Sequence, residues 1–226
     1  MIDRLDSLQD FQNLNKEIYS LTDDRNYTST DLLSYLHCHI TKILKAVRKE
    51  KYVNVGYNLC MGFSWAFAVA NRFHICVADE MWKRFPGKCP YCGLTPCVCK
   101  ERRDDRQDLP QGPLALRPVS VADWQRMFDS IYPNNTIKDS AIHLAEEIGE
   151  LSEAVRNYLA VHGDNYFDKI AEEMIDIFAN LMAVANCLKL DLGSLSADYF
   201  AKGCPKCERS PCECGYVAID HPIKPS

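Results

Sequence analysis

The chain has 226 residues and a formal net charge of −5, with 47% hydrophobic and 25% charged residues. This composition is typical of a globular protein and excludes collagen-like, purely coiled-coil and largely disordered chains. The length fits one large domain or two small ones of about 100 residues each. The mild negative charge disfavours a general nucleic-acid binder, so no stable nucleic-acid partner is expected.

Hydropathy and the first residues of the chain predict its location. No stretch of the sequence approaches the roughly 18 uninterrupted apolar residues that a membrane span requires. The opening segment MIDRLDSLQD is acidic and polar and has no features of a secretory signal. We therefore expect a cytoplasmic protein without a membrane partner.

Apolar spacing predicts helices along the whole chain, with no alternating pattern that favours strands. An amphipathic helix is predicted from about Leu8 to Tyr19 and another from Val121 to Tyr132. Two longer helices follow in each half, where apolar residues recur at helical spacing. Their predicted core positions are Leu36, Ile40, Ile43, Val47, then Val55, Leu59, Gly62, Ala66, Val69, Phe73 in the first half, and Leu144, Ile148, Leu151, Val155, then Ile170, Met174, Ile177, Leu181, Val184, Leu188 in the second.

Short segments recur between the two halves of the chain. The sequence AVAN at residues 68–71 returns 115 positions later at residues 183–186, and other matching segments keep the same order. Such self-similarity indicates a tandem duplication. The predicted divisions are a first helical repeat at 1–108, a linker at 109–118 and a second helical repeat at 119–226. The predicted fold is all-α, with tandem helical-bundle repeats that form a pseudodimer.

Each repeat ends in a cysteine cluster with the pattern C-P-x-C-x-x-x-P-C-x-C, at residues 89–99 and 204–214. Four thiolates at this spacing satisfy a closed tetrahedral Zn²⁺ site, so two structural zinc ions are predicted. Iron–sulfur ligation and a redox dithiol role are the alternatives. The predicted zinc ligands are Cys89, Cys92, Cys97, Cys99 and Cys204, Cys207, Cys212, Cys214.

Two acidic pairs lie on successive helices of the second repeat. Glu147 and Glu150 are three residues apart, as are Glu173 and Asp176, so each pair shares a helix face. Both pairs stand one position before the apolar stripe of their helix. Carboxylate clusters of this kind suit Mg²⁺ or Mn²⁺, which bind through carboxylates and substrate phosphates. The alternative for each pair is a solvated acidic face.

The motif E-E-x-x-E, followed after 22 residues by E-x-x-D, resembles the signature of the MazG-like, all-α nucleoside triphosphate pyrophosphohydrolases. This superfamily includes dimeric dUTPases and phosphoribosyl-ATP pyrophosphatases. The resemblance implies an enzyme that converts an NTP or dNTP to the monophosphate and pyrophosphate with Mg²⁺ or Mn²⁺. It implies that Glu147, Glu150, Glu173 and Asp176 are the catalytic metal ligands, supported by Glu146.

The first repeat has lost these acids at the equivalent positions. Lys42 stands where the second repeat has Glu150, and Trp65 stands where it has Asn180. The resemblance implies dimers with shared pockets, so a pseudodimer with one active and one supporting half is predicted, with a homodimer of pseudodimers as a possible assembly. Lys42 and Trp65 are candidate substrate contacts, and neutral drift is the alternative. Lys169 and Asn180 are candidate substrate contacts beside the acids.

The alternative function is a non-catalytic zinc-binding helical interaction module with vestigial acids. A second alternative is a base-specific relative such as a dUTPase or a phosphoribosyl-ATP pyrophosphatase. Retention of all four acids in one half and their loss in the other favours the enzyme, because a wholly vestigial protein would be expected to lose them in both halves.

Overall fold

A computed structural model of the chain describes residues 7–99, 107 and 109–215. The described part contains helices and no strand, which confirms the all-α prediction. The predicted features at residues 1–6, 100–106, 108 and 216–226 lie outside the described residues. The helices are α1 (Leu8–Asn26), α2 (Ser29–Arg48), α3 (Val55–Arg72), α4 (Val77–Arg84), α5 (Val121–Ile131), α6 (Ile137–Val161), α7 (Asp164–Cys187) and α8 (Leu192–Tyr199), with a short 3₁₀ helix at Leu114–Leu116.

The opening helix of each half begins at a serine with the same reciprocal cap. The Ser7 hydroxyl accepts a hydrogen bond from the Asp10 backbone N–H, and the Asp10 carboxylate accepts one from the Ser7 N–H. Ser120 and Asp123 make the same pair of bonds at the start of α5. Each cap satisfies two backbone donors that would otherwise lack partners in the first turn, and so fixes where the helix begins.

The predicted apolar stripes are the buried faces of α2, α3, α6 and α7. Two features differ from the sequence prediction: the length of α1 and the presence of two short helices. Helix α1 continues seven residues beyond Tyr19, through a polar last stretch, to Asn26. Helices α4 and α8 were not predicted, because each has only eight residues and too few turns to produce a recognisable helical period.

A buried glutamine makes the same hydrogen bonds in both halves. In the first half the Gln12 amide donates to the side chain of Asn71 at 3.0 Å and to the carbonyl of Ile75 at 2.7 Å. In the second, Gln125 donates to Asn186 at 2.8 Å and to the carbonyl of Leu190 at 2.9 Å. Each network ties the opening helix of its half to the loop after the long helix. A tandem duplication predicts such a match.

Equivalent helices of the two halves pack against one another. Helix α2 contacts α6, and α3 contacts α7, as the elements around a twofold axis would. The rings of Phe63 and Phe67 on α3 lie 5.4 and 4.8 Å from the ring of Phe178 on α7, and all three are almost fully buried. The larger apolar core therefore runs through both halves.

Each cysteine loop crosses to the opening helix of the other half. The Cys97 backbone N–H donates to the carbonyl of Ile131, the last residue of α5, at 2.7 Å. The Cys212 N–H donates to the carbonyl of Ile18 on α1 at 2.6 Å. The exchange brings residues from both halves to each end of the molecule. None of the described helices is long and apolar enough to cross a membrane.

Candidate active site

Three of the predicted acids meet where α6 and α7 pack together. The carboxylates of Glu147, Glu173 and Asp176, here called the acid trio, each offer an oxygen within 4.8 Å of the others. Helix α7 follows α6 after only two residues, so the two long helices lie side by side with their acidic positions in register. The i, i+3 spacing of Glu173 and Asp176 places both on the same face of α7.

The electrostatics of the trio are those of like charges held together away from water. Burial, then the carboxylates of Asp176 and Glu173, raise the pKa of Glu147 to about 8. Burial and Glu173 also raise the pKa of Glu150, while the ammonium of Lys169 opposes this shift. Proton uptake relieves such repulsion, and so would a bound cation.

The other two predicted acids lie at the edge of the cluster. Glu150 is exposed and interacts with the carboxylate of Glu173. Glu146 is also exposed, and its carboxylate lies 2.9 Å from Nδ1 of His143, one turn earlier on α6. The structure thus brings together three acids closely, places Glu150 beside them, and turns Glu146 towards its own helix.

Two basic side chains pair with the trio. Lys169 forms an ion pair with Glu173, the residue one turn further along α7, and lies 3.7 Å from Glu172. Arg84, at the end of α4 in the first half, donates through Nε to Oδ1 of Asp176 at 2.6 Å and through Nη2 to Oδ2. The third nitrogen, Nη1 of Arg84, is buried and has no hydrogen-bond partner within the described part of the chain. Nη1 is therefore an unused donor beside the acids.

Arg84 was missed by the sequence prediction. It lies 92 residues before Asp176, and no spacing rule links the two positions. The signal in the sequence is that Arg84 comes just before the first cysteine loop. That signal becomes informative only in the folded chain, where the loop crosses to the second half.

A cavity of about 350 Å³ opens beside the trio, and both halves line it. Glu147, Asp176 and Asn180 form its polar side, whereas Glu173 is almost fully buried. The first half contributes Arg84 and part of the first cysteine loop. Aromatic rings complete the wall; they belong to Phe85, Tyr91, Phe128 and Tyr132. This space is called the acidic cavity below.

The structure separates the four predicted substrate contacts. Asn180 lines the acidic cavity and donates its amide N–H to the carbonyl of Asp176 at 2.9 Å. Lys169 lies at the acids through its pair with Glu173. Lys42 is exposed on α2, and Trp65 lines a different cavity. Trp65 and the acid trio therefore lie at different cavities, and a substrate contact from Trp65 stays a prediction.

The two cysteine clusters fit tetrahedral zinc. In each cluster all four Sγ atoms lie within 4.8 Å of one another. The Sγ–Sγ distance is 3.6 Å for Cys89 and Cys99, and it is 3.9 Å both for Cys204 and Cys214 and for Cys207 and Cys212. Zinc–sulfur bonds of about 2.3 Å in a tetrahedron require sulfur atoms about 3.8 Å apart. A backbone hydrogen bond from Glu213 helps to lower the pKa of the Cys207 thiol to about 6, which favours a thiolate ligand.

A family model described as the MazG nucleotide pyrophosphohydrolase domain matches residues 135–211. The matched range contains the acid trio, both predicted acidic pairs and most of the second cysteine loop. The search of curated proteins and the search of solved structures gave no match to the chain. The family match confirms, over residues 135–211, the resemblance to MazG-like proteins that the acidic motifs indicated.

Proposed function

We propose that the chain is a metal-dependent nucleotide pyrophosphohydrolase that converts an NTP or dNTP to the monophosphate and pyrophosphate. The observation that carries this proposal is the acid trio beside a cavity that Arg84 of the other half completes. Three carboxylates held this close together, one of them with its pKa raised to about 8, favour a bound cation, and an anionic substrate needs positive charge. The acidic cavity offers carboxylates to the cation and the guanidinium of Arg84 to the anionic substrate.

The residues fit a divalent cation of the Mg²⁺ or Mn²⁺ type. Glu147, Glu173 and Asp176 would hold it, with Glu150 at the edge, because hard oxygen ligands suit these ions. When bound, such an ion supplies charge neutralisation for the phosphates and lowers the pKa of a water molecule.

The chain's own side chains account for binding and proton transfer. The partnerless Nη1 of Arg84 can donate to a phosphate oxygen without breaking the two bonds to Asp176. The raised pKa of Glu150 and its exposed position suit a carboxylate that accepts a proton from an attacking water. The aromatic rings of Phe85, Phe128 and Tyr132 offer flat apolar surface to a base.

The remaining parts of the chain would support this site. Each cysteine cluster would hold one structural Zn²⁺, and the first loop would keep its wall of the acidic cavity in place. The first half would then act as the supporting member of a fused pseudodimer. Arg84 is the residue through which it takes part in the chemistry.

The test is a panel of natural and modified NTPs and dNTPs with Mg²⁺ or Mn²⁺, with pyrophosphate and orthophosphate measured separately. We expect pyrophosphate from at least one substrate. Glu173→Gln and Asp176→Asn should each lower kcat by at least about a hundredfold, because each removes a ligand charge from the site. Glu153→Gln is the matched control, since Glu153 is exposed on α6 and pairs with Arg156 outside the trio.

Three outcomes would contradict the proposal in different ways. Orthophosphate as the sole product would reject the cleavage position. Variants of the trio as active as the parent would reject the assigned site. No hydrolysis across the panel, in a folded and zinc-loaded sample, would favour the non-catalytic zinc-binding module.

A further inference from the structure

A second cavity of about 370 Å³ lies on the first half, at the positions equivalent to the acidic cavity. His39, Asn58 and Met61 occupy the positions of Glu147, Glu173 and Asp176, and Tyr199 occupies that of Arg84. The second cysteine loop crosses over to form part of the wall, as the first loop does in the acidic cavity. This space is called the aromatic cavity below.

The aromatic cavity lacks the means to hold a metal-bound triphosphate. Nδ1 of His39 and Oδ1 of Asn58 are 3.1 Å apart and form a hydrogen bond, so each of these two atoms already has a partner. Burial lowers the pKa of His39, which favours the neutral imidazole. Met61 and Tyr199 bring no charge. Lys206 also lines the cavity, but there are no carboxylates at the positions of the acid trio, so we do not expect a ligand to be held here through a metal as the proposed substrate would be.

Aromatic rings form its walls in a fixed arrangement. Tyr35 stacks on Trp65 with ring centres 4.5 Å apart and planes 8° from parallel. The ring of Tyr27 meets both edge-on, at 5.4 and 5.9 Å. On the opposite side Tyr57 contacts Tyr199 at 5.6 Å. Rings held by one another offer flat apolar surface with little entropy left to lose on binding a planar molecule.

One acidic group lines this cavity, together with Lys206 and the uncharged polar side chains of Asn15, Thr22 and Ser64. The acidic group is Asp23, in the last turns of α1, which is only 7% exposed. The nearby Arg72 guanidinium donates instead to the backbone carbonyls of Asp23 and Tyr27. Burial raises the pKa of Asp23 to about 7, although Arg72 opposes the shift. A buried carboxylate is costly unless it is hydrogen-bonded, and a ligand N–H that reaches this wall of the cavity can donate to it.

We propose that the aromatic cavity is a binding site for a planar heteroaromatic ring that carries an exocyclic amino group, the chemical class of an amino-substituted nucleoside. The ring lies against the aromatic walls, and its amino group donates to Asp23. The volume falls within the roughly 300–1,000 Å³ of small-molecule sites, larger than a compact ammonium ion needs. The site binds without reaction and is separate from the proposed hydrolysis.

The test is calorimetric titration of the full-length, zinc-loaded protein in buffer without Mg²⁺. The probes form two matched pairs: guanosine with inosine, and adenosine with purine riboside, which differ within a pair only by the amino group. We expect one molecule bound per chain, and in at least one pair the amino compound should bind at least about tenfold more tightly. This ratio reflects one hydrogen bond to a buried carboxylate.

Three variants test which cavity the ligand occupies. Asp23→Asn keeps the size of the side chain and removes a buried charge, so it should fold, and it should abolish the preference for the amino compound. Tyr35→Leu removes one stacked ring and should weaken binding of both members of a pair. Asn180→Ala, in the acidic cavity at the position equivalent to Trp65, should bind as the parent does.

Four results would overturn the proposal. The first is that no nucleoside binds below about 1 mM. The second is that Asp23→Asn retains the full amino preference. The third is that Asn180→Ala, and not Asp23→Asn, loses binding, which would place the ring in the acidic cavity. The fourth is that tetramethylammonium binds more tightly than every nucleoside, which would make the cavity an alkylammonium cage.

Discussion

The acid trio has an energetic consequence that is visible at single residues. Glu147 is half-buried, and burial with the neighbouring carboxylates raises its pKa to about 8. In an unfolded chain the pKa of a glutamate is about 4.3. Between these two values the folded protein holds a proton that the unfolded chain has already released, so folding in this range requires proton uptake.

Without Mg²⁺ or Mn²⁺, the protein should therefore become less stable as the pH rises from 5.5 to 8.5. The carboxyl group of Glu147 makes its full contribution to stability below its unfolded-state pKa. This contribution is lost as the pH rises through the folded-state pKa, because the folded-state pKa is the higher of the two. Asp23 acts in the same direction, since its pKa is also raised. Thermal melting at fixed ionic strength measures the effect, and excess Mg²⁺ should raise Tm more at pH 8.5 than at pH 5.5.

Glu147→Gln isolates the contribution of this residue. The variant cannot ionise, so its Tm should fall less between pH 5.5 and 8.5 than that of the parent. Asp23 contributes to the residual slope, because its pKa is raised to about 7, and Asp23→Asn should reduce that slope further. An unchanged slope in Glu147→Gln would show that the carboxyl of Glu147 does not hold a proton in the folded state.

Arg84 is the second residue whose effect can be isolated. Its fork makes two bonds to Asp176 and leaves Nη1 free of partners within the described part of the chain. Arg84→Lys keeps a positive charge but loses the fork, so kcat/KM should fall about ten- to hundredfold. Steady-state kinetics and melting temperature should be measured together. Arg117→Lys is the matched control, because Arg117 pairs with Asp79 on the same short helix, outside the acidic cavity.

If Arg84→Lys retained parental kcat/KM, Arg84 would be only a structural partner of Asp176. A large fall in Tm with unchanged kinetics in the folded fraction would support the same conclusion. The control is needed because both arginines form ion pairs, and only one of them reaches the acid trio.

At the scale of elements, the two cysteine loops have the same pattern and different surroundings. The first loop lines the acidic cavity through Cys89, Pro90 and Tyr91, whereas the second lines the aromatic cavity. Elemental analysis of protein purified without added metal should find about two zinc ions per chain. A value near zero in a folded sample would reject structural zinc.

Cys97→Ser and Cys212→Ser form a matched pair, 115 positions apart, and each should reduce the zinc content from about two to about one. Both should lower Tm, because loss of a ligand removes metal-linked folding energy. Only Cys97→Ser should also lower kcat/KM of the folded fraction, since its loop forms a wall of the acidic cavity. Equal kinetic losses in both variants would show that the loops act on stability alone.

The elements also show how far the sequence alone could reach. The long helices and the positions of the acids were predictable, because apolar periodicity and i, i+3 spacing are local properties of the chain. The short helices α4 and α8 were not, since eight residues give too little period to recognise. Arg84 and the placement of Trp65 depend on which half each cysteine loop crosses to, and that choice is made by packing across distant parts of the chain.

At the scale of the whole molecule, matching elements of the two halves surround two unlike cavities. The same helices, glutamine networks and crossed loops surround both. One cavity has the acid trio and Arg84, whereas the equivalent positions of the other are His39, Asn58, Met61 and Tyr199. A fused chain allows this difference, because the two halves of one chain can change independently, whereas identical subunits of a dimer cannot.

The last prediction concerns the dependence of the halves on each other. Phe63 and Phe67 from the first half and Phe178 from the second share one core, and Arg84 completes the site of the other half. Residues 1–108 and 109–226 expressed together as separate chains should therefore associate one to one and retain most of the pyrophosphohydrolase activity. The second half expressed alone should be inactive and prone to aggregation, because its face towards α2 and α3 is apolar and uncovered. Co-purification, light scattering and the pyrophosphate assay measure these outcomes.

Introducing Arg84→Lys into the first chain of the pair should lower activity as we expect it to do in the intact protein, while Arg117→Lys should not. A soluble, fully active second half on its own would show that the first half is not part of the site, and would leave the fused pseudodimer without a functional role.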